Sequence, residues 1–81
     1  MTPEQCRAAR GWLDLSQDAL AAASRVSLST VRDFEKGRRT PIQATIGAIE
    51  TALAAQGIEF LSKDGIAWGV AFASPATQTK G

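Results

Sequence analysis

Residues that commonly begin helices recur at short intervals through most of the chain. Thr2 precedes a proline and stands three residues before a glutamine, which is the capping-box pattern. Ser16 and Ser27 each precede a short segment of helical periodicity, and Thr40 again precedes a proline. We expect the fourth helix to end at Gly57, since glycine commonly follows a helix C-terminus. The sequence therefore predicts a mainly helical chain with four helices.

Apolar residues identify the buried sides of these helices. One stripe of the fourth predicted helix is apolar throughout: Ile42, Ile46, Ile49 and Leu53. Cys6 falls on the apolar side of the first helix, where we expect a small core side chain. The pattern leaves open whether Trp12 lies in the core or on the surface.

The periodicity changes after Gly57. Residues 58–62 and 66–73 are predicted strands, and the Asp64-Gly65 pair between them is a strong β-hairpin signal. A two-residue turn there places Leu61 opposite Trp68. One face of the hairpin then carries Leu61, Ile66, Trp68, Val70 and Phe72. The other face carries Ile58, Phe60, Ala67, Gly69 and Ala71.

Both faces of this predicted hairpin are apolar, although a lone two-stranded hairpin is marginally stable in water. One face can pack on the fourth helix. We expect a second copy of the chain to cover the face of Leu61, Ile66, Trp68, Val70 and Phe72. The alternative is a hairpin that curls onto the helices and leaves Trp68 half-buried. The expected organisation is a helical domain at residues 1–57, a dimerisation hairpin at 58–73 and a disordered tail at 74–81.

Composition excludes several classes of function. The chain has no histidine and one cysteine, Cys6, which removes histidine-dependent catalysis, an intramolecular disulfide and histidine or multi-cysteine metal sites. Its 81 residues suffice for one domain, and no apolar run approaches the roughly 20 residues of a membrane span. We therefore expect a cytoplasmic protein that is not an enzyme and needs no metal, cofactor or membrane.

Charge is unevenly distributed along the chain. Residues 25–39 hold five basic and two acidic side chains, a net charge of +3, whereas the remaining residues hold four basic and six acidic ones, a net charge of −2. A basic segment on a nearly neutral chain suits a phosphate-binding surface. It is equally compatible with a solvated helix face.

The second and third predicted helices carry the strongest functional signal. Two short helices joined by a turn of three or four residues form a helix-turn-helix, whose second helix can enter the major groove of DNA. Arg32 can bind guanine through two hydrogen bonds, Ser29 can donate or accept, and Leu28 can contact a thymine methyl. Phosphate contacts are expected from the start of the second helix and from the end of the third: Gln17, Lys36, Arg38 and Arg39.

These residues belong to a wider pattern. It comprises Arg10, Leu15-Ser16-Gln17, Leu20-Ala21, Val26-Ser27, Thr30-Val31, Phe34-Glu35, Gly37, Arg39 and Pro41. The sequence over about residues 4–57 resembles the Xre and Cro family of phage-type repressors. The resemblance implies a compact, lambda-repressor-like helical domain, here followed by the hairpin. Family members are transcriptional regulators, usually repressors, that commonly bind palindromic operators in double-stranded DNA as dimers.

The resemblance also implies roles for individual residues. Gln17 would contact the DNA backbone and Lys36 a phosphate, while the groove would be lined by Ser27, Leu28, Ser29, Arg32 and Asp33. Arg10 would pair with Glu35 and brace the third helix against the first. Removing one partner of a buried pair costs about 3–5 kcal/mol.

Some features depart from the family pattern or admit a second interpretation. Arg25 stands in the turn where the family usually has glycine, and a phosphate contact could offset its strain. Asp33 either accepts from a cytosine amino group or pairs with Arg32 or Lys36. Leu28 can pack inward instead of contacting a base. The competing function is a protein-binding module on the same fold, an antitoxin or an antiactivator, with Trp68 and Phe72 facing the partner.

Overall fold

The computed structural model describes residues 1–73 and contains four α-helices followed by a two-stranded antiparallel hairpin. The elements are α1 (Pro3–Leu13), α2 (Gln17–Ser24), α3 (Leu28–Glu35), α4 (Gln43–Ala54), β1 (Ile58–Lys63) and β2 (Ile66–Phe72). The predicted fold class is therefore confirmed. The tail predicted at residues 74–81 lies outside the described residues.

Three of the four predicted helix starts are present. Thr2 and Gln5 form the reciprocal capping box of α1, and the hydroxyls of Ser16 and Ser27 accept from the backbone N–H three residues later. The prediction for α4 is wrong: the cap is not Thr40 but Ile42, which makes no side-chain capping bond. Ile42 is 73% exposed, so it does not join the buried stripe, and the buried residues of α4 are Ile49 and Leu53.

The core joins all four helices to β1. Its buried apolar side chains are Cys6, Ala9, Leu20, Ala21, Val31, Phe34, Ile49, Leu53 and Ile58. Trp12, which the sequence left undecided, is 66% exposed and lies against Phe72, with ring centroids 5.8 Å apart. Burial in a chain this short is thus concentrated where the helices meet the first strand.

Gly57 does not end α4 directly, since that helix ends three residues earlier, at Ala54. Its φ of 101° turns the chain into β1, and its carbonyl accepts from the Ala73 N–H at 2.7 Å. A Cβ at this position would lie 2.9 Å from the Ala73 carbonyl oxygen. Glycine is required here both by conformation and by the close approach of the end of β2.

The register of the hairpin differs from the prediction. Lys63 pairs with Ile66 across the Asp64-Gly65 turn as expected, but a bulge follows and Trp68 has no partner across the ladder. Leu61 therefore lies opposite Gly69 instead of Trp68.

Beyond the bulge, Phe60 lies opposite Val70 and Ile58 lies opposite Phe72. An extra residue in one strand exchanges the faces of all side chains beyond it. Val70 consequently shares the core-facing side with Phe60 and does not share a face with Ile66.

The side chain of Gln5 forms hydrogen bonds with the strands beside the bulge. This buried side chain donates from Nε2 to two strand carbonyls, Leu61 O at 3.1 Å and Gly69 O at 2.8 Å, which belong to the cross-strand pair beside the irregularity. Its Oε1 accepts from the Thr2 N–H at 3.0 Å. The hairpin was expected to pack on α4, yet β2 packs on α1 while β1 contacts α4. One amide thus ties the start of α1 to the centre of the hairpin.

Candidate nucleic-acid interface

A three-residue turn connects α2 to α3. Ser24 ends α2 with its hydroxyl donating to Leu20 O at 2.7 Å, and Arg25 follows in the left-handed conformation at φ 59° and ψ 39°. The Val26 N–H donates to Ala21 O, which closes the turn at 3.0 Å. Arg25 thus adopts the strained conformation that glycine usually provides, at a cost of about 1–2 kcal/mol.

The outward side of α3 is polar and basic. Ser29, Arg32 and Lys36 are exposed and follow one another at spacings of three and four residues, so they share a face. Val31, Phe34 and Glu35 occupy the buried side of the same helix. This division presents three predicted DNA contacts along one surface of a firmly packed helix.

Two predicted contacts at the start of α3 have other partners in the structure. The Ser27 hydroxyl accepts from the Thr30 N–H at 3.2 Å and lies 2.7 Å from Thr30 Oγ1. Leu28 is half-buried and packs against the core, in line with the inward alternative. Ser27 therefore begins the helix, and Leu28 offers only part of its side chain to a base.

The pairing proposed for Asp33 is wrong. Its ion pair is with Arg38, whose Nη1 lies 4.0 Å from Asp33 Oδ1, and not with Arg32 or Lys36. Arg38 lies beyond the helix end, where the chain bends back after Gly37. An exposed pair at this distance contributes little to stability. Arg38 can therefore exchange this carboxylate for a phosphate at small cost.

Glu35 is the centre of a buried hydrogen-bond network. Arg10 donates from Nε to Oε2 at 2.7 Å and from Nη2 to Oε1 at 2.8 Å. Gln17 Nε2 donates to Oε1 at 2.9 Å, and the Cys6 thiol donates to Oε2 at 3.1 Å. Arg7 donates to the Glu35 backbone carbonyl. The network fixes the end of α3 to both α1 and α2.

The network shifts the pKa values of its members. Burial alone would raise the pKa of Glu35, but the bonds from Arg10, Gln17 and Cys6 outweigh it and hold the pKa below its usual value. The same contact with Glu35 raises the pKa of Arg10. Burial, then the bond to Glu35, raises the pKa of the Cys6 thiol well above its usual range. The carboxylate is therefore charged and the thiol neutral at physiological pH.

Gln17 and Arg7 differ most from their sequence-based roles. One amide N–H of Gln17, expected to face a phosphate, is used on Glu35 instead. Arg7 had no assigned role, yet it lines a shallow recess with Lys36 and Arg38 beside the end of α3. Sequence spacing gave no signal for either, because both depend on how α1 and α2 pack around α3. Arg25 and Arg39, which were also predicted to contact the DNA backbone, are both exposed.

Residues 1–73 meet the requirements of neither a metal site nor a membrane-spanning helix. They contain no group of three or more His, Cys, Asp or Glu side chains placed to hold a metal ion. No helix in this part of the chain has the length and apolar character needed to cross a membrane.

α3 is a short helix that follows a tight turn. Its outer face is exposed and basic, and its buried side is hydrogen-bonded to α1 and α2 through Glu35. These features define a DNA-binding domain of the helix-turn-helix class. A family model described as helix-turn-helix, HTH_3, matches residues 7–61. The chain belongs to this family of DNA-binding regulators, in agreement with the resemblance to Xre and Cro proteins. No curated protein matches the sequence.

Proposed function

We propose that the protein is a cytoplasmic transcriptional repressor that binds a palindromic DNA operator as a homodimer. The observation that carries the proposal is the exposed face of Ser29, Arg32 and Lys36 on a helix held in place through Glu35. A reading helix must keep its register relative to the groove, and bonds to two neighbouring helices supply that rigidity. Repression follows where the operator overlaps a promoter.

Base recognition is assigned to the first turns of α3. Arg32 donates two hydrogen bonds to guanine, Ser29 bonds a neighbouring base edge, and Asp33 accepts from a cytosine amino group when Arg38 turns to the backbone. Leu28 contacts a thymine methyl with its exposed part. One good bidentate contact discriminates against the wrong base by about 1–3 kcal/mol.

Backbone contacts are assigned to the polar and basic side chains around the helix. The predicted set is Gln17, Arg25, Ser27, Lys36, Arg38 and Arg39, and we add Arg7 because it lines a recess with Lys36 and Arg38. Each neutralised phosphate makes the slope of log K against log salt more negative by about 0.9. The cations of this set are Arg7, Arg25, Lys36, Arg38 and Arg39. If three or four of them bind phosphates at one time in each protomer, a dimer should show a slope of about −5 to −7.

The experiment is selection of a preferred site from a random duplex library, followed by affinity measurements at two salt concentrations. Arg32→Ala together with Ser29→Ala should relax the preference at the bases they contact. Lys36→Ala should weaken binding to all sequences and reduce the salt slope by about 0.9. Lys63→Ala is the matched control, an exposed cation on the hairpin whose loss should change neither quantity. Full retention of sequence preference in the double variant would refute this reading face.

A second candidate function is protein capture, as by an antitoxin or an antiactivator on the same fold. The observation that favours it is the exposure of Ile66 and Trp68, each about two-thirds accessible on the hairpin. Large exposed apolar side chains that are close together mark interaction sites. A chain that stays monomeric and shows no DNA preference would favour this second function.

A further inference from the structure

An apolar surface runs along the outside of β2 and α1. Ile66 and Trp68 border one recess, and Trp68 borders another with Ala8. Ala8 and Trp12 are one helical turn apart on α1, and Trp12 lies against Phe72. We call these five residues, Ile66, Trp68, Ala8, Trp12 and Phe72, the aromatic stripe.

The aromatic stripe lies on the side of α1 away from the recognition helix. Cys6 and Arg10 of α1 bond Glu35 of α3. Ala8 follows Cys6 by two residues and Trp12 follows Arg10 by two residues, and two residues correspond to a rotation of about 200° around the helix axis. A partner seated on the stripe therefore leaves the exposed face of α3 free.

We propose that a second copy of the chain covers the aromatic stripe and forms the homodimer through it. Trp12 and Trp68 are each 66% exposed and Phe72 is 40% exposed. At the size of aromatic side chains, these three present about 400 Å². That is about half of the roughly 800 Å² that each partner buries in a standard interface, before Ile66 and the strand backbone are counted.

The chemistry of the aromatic stripe suits contact with itself. A two-fold interface places each surface against its own copy, so a patch of one charge would repel itself. The stripe holds no charged residue, and the charged side chains that border its recesses are of both signs: Glu4, Lys63 and Asp64. In addition, β2 has a neighbouring strand on one side only within residues 1–73.

The position of the stripe also suits DNA with two half-sites, an argument that rests on the proposed function. Packed helices have axes about 8–10 Å apart, and we take this spacing for α1 and α3 because Cys6 and Arg10 of α1 bond Glu35 of α3. The outer surface of α1 adds about 5–6 Å, which places α3 about 15 Å from the stripe. A two-fold axis at the stripe then separates two α3 helices by about 30 Å, close to the ~34 Å of one DNA turn.

This surface differs from the hairpin face expected from the sequence. Val70 packs against the core, so it does not serve the interface. Phe72 follows it on the same face of β2, but it lies at the end of the strand, is 40% exposed and contacts Trp12. Trp12 takes its place, because α1 packs beside β2 and extends the apolar surface across both elements.

The two tryptophans of the chain both lie in the stripe, so the unmodified protein reports on it directly. Sedimentation equilibrium of the whole chain should show a monomer–dimer equilibrium over roughly 1–100 μM, a range in which typical modest interfaces dissociate. Tryptophan emission should move to shorter wavelength as the dimer forms. A monomer throughout, or a dimer whose emission is the same as that of the monomer, would overturn the proposal.

Two variants make the test specific. Trp68→Ser should raise the dimer dissociation constant about 30-fold, as expected for an interface hot spot. Ile42→Ser is the matched control, since Ile42 is 73% exposed and lies outside the stripe. The proposal fails if folded Trp68→Ser dimerises like wild type, or if the control dissociates equally. If Trp68→Ser does not fold, the emission of the wild type still decides.

DNA binding separates this proposal from the proposed function. A dimer that loses its association in Trp68→Ser but selects no DNA sequence would support the stripe and refute the regulator. A chain that selects a single half-site as a monomer would refute the stripe and retain DNA recognition.

Discussion

Replacing Glu35 with glutamine tests the network that holds α3 against α1 and α2. The substitution preserves shape but turns one acceptor oxygen into an NH₂ group. Every side chain around Glu35 is a donor: Arg10 from two nitrogens, Gln17 from its amide and Cys6 from its thiol. The introduced amide N–H therefore faces another donor, and Arg10 loses its counter-ion.

The magnitude follows from burial. Breaking a buried ion pair by removing one partner costs about 3–5 kcal/mol. Glu35 is 2% exposed but Arg10 is 21% exposed and keeps its bond to the Leu15 carbonyl, so its guanidinium regains some hydration. We therefore expect a loss of about 3 kcal/mol. A domain of 81 residues has about 4–12 kcal/mol of stability in total, so the loss removes a large part of it.

The assay is urea unfolding followed by circular dichroism, with a thermal scan as a second measure. At about 4–8 °C per kcal/mol for a domain of this size, Tm should fall by about 12–24 °C. Asp33→Asn is the matched control: it removes one negative charge from the same helix, but its partner Arg38 is 4.0 Å away and exposed. Its effect should stay within about 0.5 kcal/mol.

The pH dependence gives an independent check. The pKa of Glu35 is lower in the folded protein than its unfolded value of about 4.5. The stabilisation from its charge is therefore complete above about pH 4.5 and is lost as pH falls through the folded pKa. The stability gap between wild type and Glu35→Gln should be constant near neutrality and narrow in acid. A cost below about 1 kcal/mol, or a gap that widens in acid, would refute the reasoning.

Three further substitutions test other parts of the fold. Gln5→Leu removes both bonds to strand carbonyls and the capping-box bond from the Thr2 N–H, and should destabilise the protein by about 2 kcal/mol in urea unfolding; no measurable loss would mean that the bulge needs no partner. Arg25→Gly relieves a left-handed arginine and should raise stability by about 1 kcal/mol while weakening DNA binding; a fall in Tm would contradict the strain. Leu53→Asp places an unpaired charge at a fully buried position and should leave the chain unfolded by circular dichroism at 25 °C; a folded variant would disprove the core assignment.

Local chemistry made much of the helical part predictable. Thr2, Ser16 and Ser27 begin helices because a side-chain oxygen can satisfy a free N–H in the first turn, and that requirement is local in sequence. The same reasoning failed at Thr40. A Thr-Pro pair indicates only a position where a helix can begin, and tertiary packing determines which such position is used. The first buried contact of α4 lies further along the chain, and Ile42 remains exposed.

The candidate site was predictable only at its surface. Periodicity alone places Ser29 and Arg32 on the outer face of α3, whereas the partners of Glu35 come from two other helices, α1 and α2. The family resemblance suggested Arg10, and the two side chains are bonded in the structure. Nothing in the spacing shows that Gln17 turns its amide inward, because an N-terminal helix residue with a free amide fits a phosphate equally well.

The hairpin shows why a correct turn does not guarantee a correct register. Asp64-Gly65 determines only the pair beside it, Lys63 with Ile66, and each further pair depends on an unbroken ladder. A bulge breaks the ladder where neighbouring structure can supply the lost hydrogen bonds, and here the supplier is Gln5, 56 residues away from Leu61. The local sequence predicts that Gln5 caps α1. It does not predict that the Nε2 group of Gln5 donates to carbonyls of the hairpin. The same amide that completes the start of α1 therefore permits the bulge, and the bulge determines which side chains of β2 reach the core and which remain at the surface.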